Sequence, residues 1–147
     1  MMLLPTHLLG GLIIGKIMGD YPAALAGALL VDLDHLVSYF KSGVWFNFKK
    51  FTKAITNRND PWGDQRNVLH NVILGLVISA SVAVFDYKFG IVFALGYLSH
   101  LVLDALDNSD YFPFFPNKKV NLKGPIKYFS IAEVMVMLGL LCWWLII

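Results

Sequence analysis

Residues 89–106, FGIVFALGYLSHLVLDAL, decide the fold class of this chain. The segment is apolar almost throughout, and it is long enough to cross a bilayer, which takes about 17–25 such residues. Its two ionisable side chains, His100 and Asp104, are four positions apart and therefore share one helical face. An ionisable group at membrane depth costs about 2.5–3.5 kcal/mol, so it usually has a partner or a function. The segment predicts a spanning helix that carries a functional pair.

The rest of the chain has the same apolar character. It is 57% hydrophobic and 15% charged with a mean hydropathy of +0.62, which is too apolar for a soluble domain of 147 residues. Four more apolar segments occupy residues 3–18, 22–40, 68–85 and 126–147, and the first is short for a span. We expect one all-α domain over residues 1–147, a polytopic membrane helical bundle of about five spans. Its two long connections are residues 41–67 and 107–125.

Composition also excludes several classes of protein. The single cysteine, Cys142, rules out an internal disulfide and a cysteine-rich zinc site. The basic residues are few and lie beside hydrophobic spans, which does not fit a nucleic-acid-binding surface.

The lysines and arginines are distributed unequally between the two sides of the predicted bundle. All but Lys16 and Lys88 of the 12 basic residues lie on one side, at the helix ends and in the two long connections. The positive-inside rule places that side in the cytoplasm. We therefore expect a multi-pass protein of the inner (cytoplasmic) membrane with a cytoplasmic N-terminus and an external C-terminus.

The four histidines all fall on this basic side. His7 is near the start of the first segment, His35 is near the end of the second, His70 opens the third and His100 lies near the end of the fourth. Successive spans run in opposite directions. The start of the first and third segments and the end of the second and fourth therefore lie on the same side of the bilayer. We expect the four imidazoles to converge at one mouth of the bundle, together with the carboxylates near them.

Imidazole and carboxylate ligands together suit Zn²⁺, Mn²⁺ or Fe²⁺. The candidate metal ligands are His7, Asp32, His35, His70, His100 and Asp104. This set exceeds the three or four protein ligands of one catalytic zinc, so one or two ions fit, with zinc favoured. Asp32 and His35 share a helical face, whereas Asp34 points elsewhere unless the helix frays there.

Asp34 and Arg66 are the candidate catalytic residues. Asp34 would accept a hydrogen bond from the ring N–H of a ligating histidine and so orient that imidazole. Glu133 is also a candidate for this role. Arg66 is either a clamp for an anionic substrate or an anchor on a lipid headgroup. Glu133, about two turns into the last segment, is either a partner of the site or a protonated carboxyl paired with a neighbouring helix. Asp107 and Asp110 are expected in a solvated loop.

The order of four short motifs resembles that of the predicted membrane-bound metal-dependent hydrolases. This family includes inner-membrane proteins described as LexA-binding predicted hydrolases. The motifs are Thr6-His7-Leu8-Leu9-Gly10-Gly11, Asp32-Leu33-Asp34-His35, Arg66-x-x-x-His70 and Ser99-His100-Leu101-Val102-Leu103-Asp104. The proline-aromatic stretch at residues 112–116 resembles the segment that follows the last histidine motif in that family. The chain departs from the family pattern at Val31, Asn71 and residues 107–108.

The resemblance covers about residues 5–125, and its motif style is also similar to that of zinc-dependent phospholipase C. It implies a phosphoester-cleaving site with two or more metals. The leading interpretation is a membrane-embedded metal hydrolase that acts on a lipid or another amphiphilic, phosphorylated substrate. Two other classes stay open: a metal-ion or proton transporter, and a non-catalytic membrane adaptor that docks through residues 41–67. A transporter needs polar residues through the depth of the membrane. Assembly as a homo-oligomer is also left open.

Overall fold

The computed structural model describes residues 2–56, 66 and 68–147, with side chains for all of these except residues 54–56. Within this part of the chain the helices are α1 (Leu4–Met18), α2 (Tyr21–Leu30), α3 (Leu33–Lys41), α4 (Phe48–Thr56), α5 (Val72–Phe85), α6 (Tyr87–Leu106) and α7 (Ile131–Ile146). The same residues contain no β-strand, only two isolated bridges in the loop after α6. The predicted all-α class is confirmed.

In the part of the chain that the structure describes, two helical stretches are long and apolar enough to cross a membrane. One is α6, and the other is α2 and α3 taken together over Tyr21–Lys41. The helices α1, α5 and α7 are apolar but shorter, between 10 and 17 residues. The number of spans therefore stays a prediction.

Helix α6 is the central element of the bundle. It packs against α1, α2 and α5, while α1 also contacts α2 and α7. The closest approach is between α2 and α6 at Gly27 and Gly96, where an added Cβ would collide with the backbone of the opposite helix at Phe93 and Ala24, respectively. Small residues allow this kind of backbone contact between membrane helices. The approach brings the carbonyl of Ala28 next to the functional end of α6.

The apolar segment 22–40 is not one continuous helix, because it breaks between α2 and α3. At the break the amides of Asp32 and Asp34 donate to the carbonyls of Leu29 and Val31, three residues back, at 3.2 and 3.3 Å. Such turns are tighter than an α-helix and change the direction of the following side chains. The break is therefore what sets the direction of the two aspartates.

Helices α5 and α7 begin later than segments 68–85 and 126–147 predict. The side chain of Asn71 caps α5 by accepting from two amides of its first turn, and Ser130 caps α7 by accepting from the amide of Glu133. Two expected positions were consequently wrong. His70 lies in the turn before α5 rather than opening a helix, and Glu133 lies in the first turn of α7 rather than two turns inside it.

The predicted connection 41–67 contains a further helix, α4, which was not predicted from the sequence. Phe51 of α4 packs against Tyr39 and Val44, so α3 and α4 are held together by a small apolar cluster. The stretch Asn59-Asp60-Pro61-Trp62-Gly63 of this connection lies outside the described residues. After α6, bridges from Asp107 and Tyr111 to residues 126 and 122 fold the loop back on itself.

Candidate metal centre

His100 and Asp104 lie one turn apart on α6 and are both fully buried. Nε2 of His100 is 3.6 Å from Oδ2 of Asp104. The other ring nitrogen, Nδ1, is 2.7 Å from the carbonyl oxygen of Ala28 on α2. Because a carbonyl oxygen only accepts, Nδ1 must carry the proton, and the lone pair of the neutral ring is then on Nε2. The close contact of α2 and α6 thus fixes which nitrogen of His100 faces Asp104.

His7 brings α1 into the same cluster. Its ring stacks on that of His100, with the centroids 3.7 Å apart and the planes 14° from parallel. Its Nε2 is 3.5 Å from Oδ1 of Asp104, and its side chain is 1% exposed. The close packing of α1 against α6 therefore stacks the imidazole of His7 on that of His100.

The break between α2 and α3 supplies an aspartate and a histidine. Oδ1 of Asp32 lies 3.3 Å from Nε2 of His35 and 3.7 Å from Nε2 of His100. The side chain of Asp32 is 19% exposed, more than those of its histidine neighbours. Asp32 therefore lies at the accessible edge of the buried cluster.

His70 is held by contacts on both sides of its ring. Nδ1 is 3.2 Å from Oδ2 of Asp34, while Nε2 is 3.3 Å from Oδ2 of Asp104 and 3.4 Å from Nε2 of His100. Asp34 therefore orients His70 toward the other ligating groups.

The backbone before His70 is fixed by two side chains. Asp34 accepts from the amide of Leu69 at 2.6 Å, and the hydroxyl of Tyr97 donates to the carbonyl of Leu69. The ring of Tyr97 in turn fills the space beside Gly75 on α5. Tyr97 is a positioning residue that was not predicted from the sequence. Its place on α6, three residues before His100 and on the same face, was the available signal.

Among the described residues, three groups of side chains bring potential metal-ligating atoms within 4.8 Å of one another. They are His7 with Asp32 and His100, Asp32 with His35 and His70, and His70 with His100 and Asp104. All six residues that the sequence singled out as metal ligands occur in these groups. The groups overlap, because Asp32, His70 and His100 each belong to two of them. Four separate parts of the chain contribute to this one cluster.

Arg66 is buried beside the cluster, with its side chain 3% exposed. Its Nε is 3.2 Å from Oδ2 of Asp104, and its Nη2 is 3.2 Å from Oδ1 of Asp104 and 3.3 Å from Oδ1 of Asp107. The guanidinium also lies over the ring of Tyr111, 5.8 Å from its centroid. Such a buried position does not fit an anchor on a lipid headgroup.

Several other expected positions changed. Asp34 points into the cluster because the helix breaks just before it. Asp107 is fully buried against Arg66, so its assignment to a solvated loop was wrong, whereas Asp110 is exposed as expected. Glu133 contacts neither the ligands nor Arg66 in the bonds described: it accepts from the amides of Leu3 and Phe129.

A family model for the YdjM inner membrane protein matches residues 1–146. The chain belongs to the YdjM inner membrane protein family. No curated protein and no solved structure matched it. Family membership makes the chain a protein of the inner membrane, which agrees with its composition and with its two span-length helices. The YdjM family match covers the buried cluster on α1, α3 and α6 as well as the helices that carry it.

Proposed function

We propose that this YdjM family member is a membrane-embedded metal-dependent hydrolase that cleaves phosphoester bonds in a lipid or another amphiphilic substrate. The observation that carries the proposal is the convergence of His70, His100 and Asp104 on one another. Their facing atoms are separated by 3.3, 3.4 and 3.6 Å. Three donors placed tetrahedrally at about 2.0–2.2 Å from one ion lie about 3.4 Å apart. The spacing of these three atoms fits a small divalent cation.

The chemistry of the donors supports the same proposal. His100 keeps its proton on Nδ1 through the bond to Ala28, and Asp34 faces Nδ1 of His70. Both rings then present the lone pair of Nε2, which is the form that a metal ion requires. Mixed imidazole and carboxylate donors suit Zn²⁺, with Mn²⁺ and Fe²⁺ as alternatives. His7, Asp32 and His35 provide enough further donors for a second ion.

A bound divalent ion would make water a stronger nucleophile at neutral pH and polarise the phosphoryl group. The chain's own residues bind and orient around that site. Asp34 and Tyr97 fix the His70 turn, and Arg66 holds Asp104 while placing a positive charge beside the cluster. Positive charge there favours an anionic substrate such as a phosphoester. The substrate approaches from Asp32 and Asp34, whose side chains are 19% and 11% exposed.

The proposed function is tested first by elemental analysis of protein purified in chelator-free detergent. We expect Zn, Mn or Fe to copurify. The same preparation is then assayed with soluble phosphoesters and with phospholipids, and a chelator-treated sample regains activity when the metal is restored. A preparation that holds no metal and takes up none in a titration rejects the metal centre. Bound metal without cleavage of either substrate class rejects the phosphoesterase.

The orientation of the protein gives a separate prediction. Because the basic residues lie on the side of the cluster, we expect the cluster to face the cytoplasm and residue Ile147 to lie outside. Fusion of a fluorescent protein, active only in the cytoplasm, and of alkaline phosphatase, active only outside, measures this directly. A phosphatase-positive and fluorescence-negative C-terminus is the expected result. The opposite pattern means that the chain crosses the membrane an even number of times or lies the other way round.

A further inference from the structure

Helices α3 and α4 form a unit whose outer surface is apolar and aromatic. On α3, Val37 and Phe40 are 52% and 63% exposed, and on the α4 side Phe46 and Phe48 are 76% and 81% exposed. The rings of Phe40, at the end of α3, and Phe46, in the connection just before α4, contact each other edge to face at 5.7 Å, so the exposed aromatic surface is continuous from α3 to the start of α4. Contiguous exposed aromatic groups of this kind mark an interaction surface.

The charged side chains of residues 41–56 are all basic. Lys49, Lys50 and Lys53 are exposed on α4, and Lys41 is exposed at the end of α3. Residues 41–56 contain no acidic residue. Along α4 the lysines are displaced around the helix axis from Phe48 and Phe51, as the α-helical repeat requires. A short helix with an aromatic face and a lysine face is typical of segments that lie in the membrane interface.

The position of α4 in the chain favours a membrane as its partner. The short connection 42–47 joins it to α3, the end of the span-length segment Tyr21–Lys41. Phe51 packs against Tyr39 and Val44, which keeps α4 against α3. An amphipathic helix held this close to the end of a membrane helix remains at the bilayer surface. Its lysines are then within reach of lipid headgroups.

We propose that α4 and the adjoining end of α3 lie in the headgroup layer on the side of the metal-ligand cluster and bind anionic phospholipids. The aromatic side chains of residues 40, 46 and 48 reach the acyl boundary, while Lys49, Lys50 and Lys53 contact the phosphates. Lysine stems lie along the apolar boundary and place the ammonium groups among the headgroups. Because this surface is separate from the metal-ligand cluster, the lipids that bind to it do not have to be substrates.

The depth of α4 is measured on the full chain with Cys142→Ser as background, because the only cysteine is exposed on α7. Nitroxides are attached in Phe48→Cys and, as the matched control, in Lys50→Cys, and both proteins are placed in vesicles of phosphatidylcholine and phosphatidylglycerol. We expect position 48 to be reached mainly by oxygen and position 50 mainly by a water-soluble nickel chelate. Equal access of the nickel chelate to both positions would place α4 in water, open to a protein partner, and overturn the proposal.

The preference for anionic lipid is measured with spin-labelled phosphatidylglycerol and phosphatidylcholine. Replacing Lys49, Lys50 and Lys53 with Gln is expected to lower the phosphatidylglycerol preference, by at most about fivefold for each lysine removed. Replacing Lys118, Lys119 and Lys123 with Gln removes the same charge from the loop after α6 and should have a smaller effect. An equal loss in the two triple variants would assign the preference to overall charge and reject α4 as the binding surface.

Discussion

Replacing His100 with Ala, or Asp104 with Asn, is expected to lower the metal content of the purified protein at least about tenfold and to abolish hydrolysis. Even residues that only support ligands cost about 10–100-fold in metal affinity or activity when they are changed. His100 and Asp104 each contribute an atom to the triad that they form with His70, and His100 also belongs to a second triad. Elemental analysis and the phosphoester assay measure the two effects on the same samples.

Asp104→Asn is preferred to alanine at this position because it keeps the shape of the side chain that faces Arg66. Asp110→Ala is the control, since Asp110 is exposed and bonds only Asn121 and Lys123 among the contacts described. Those two contacts lower the pKa of Asp110, which is therefore also a carboxylate at neutral pH. Asp110→Ala should keep both metal and activity. Full metal occupancy in the His100 and Asp104 variants would reject the centre as drawn.

The residues of the cluster could be named from the sequence because membrane burial makes each of them conspicuous. A histidine or carboxylate inside an apolar segment has few explanations, and the alternating direction of spans placed all four histidines at one end. The i, i+4 spacing of His100 and Asp104 gave their shared face directly. The geometry that joins them to His7 and His70 depends on how closely α1, α2 and α6 pack, which spacing alone does not determine.

The boundaries of the helices were less predictable because hydrophobicity extends beyond them. Val68 and Leu69 extend the apolar segment before α5, yet the helix begins only after Asn71, whose side chain caps it. The cap residues Asn71 and Ser130 are both visible in the sequence, so cap chemistry would have corrected these two helix starts. The break at residues 31–32 is harder to predict, because neither proline nor glycine is present there and the side chain of Asp32, which precedes α3, makes no cap hydrogen bond.

The roles of Arg66 and Asp107 could not be found from the sequence because they depend on long-range pairing. Asp107 follows α6 in a polar stretch, where exposure is the ordinary outcome for a carboxylate. It is buried because the guanidinium of Arg66 reaches both Asp107 and Asp104. Burial of the Asp107 carboxylate therefore depends on Arg66, about forty positions earlier in the chain. The residues next to Arg66 in the sequence do not indicate this pairing.

Arg66→Ala is expected to destabilise the metal-free protein by about 3–5 kcal/mol, the usual cost of removing one partner of a buried ion pair. The variant leaves the carboxylates of Asp104 and Asp107 buried without the guanidinium that contacts both. Thermal unfolding in detergent, with and without a chelator, measures the loss. Added Zn²⁺ should recover part of it, because a bound cation would compensate the charge of Asp104. Lys118→Ala, which removes an exposed lysine, serves as the control.

The same variant separates the two roles that Arg66 can have in the site. If its charge assists an anionic substrate, metal-loaded Arg66→Ala should keep nearly its full metal content but turn over phosphoesters more slowly, since all six candidate ligands, including Asp104, remain. Arg66→Lys keeps the charge without the planar fork and should fall between the two proteins. Loss of the metal from Arg66→Ala would make the arginine a support for Asp104 and reject its contribution to substrate binding. Unchanged stability without metal would contradict the ion pair itself.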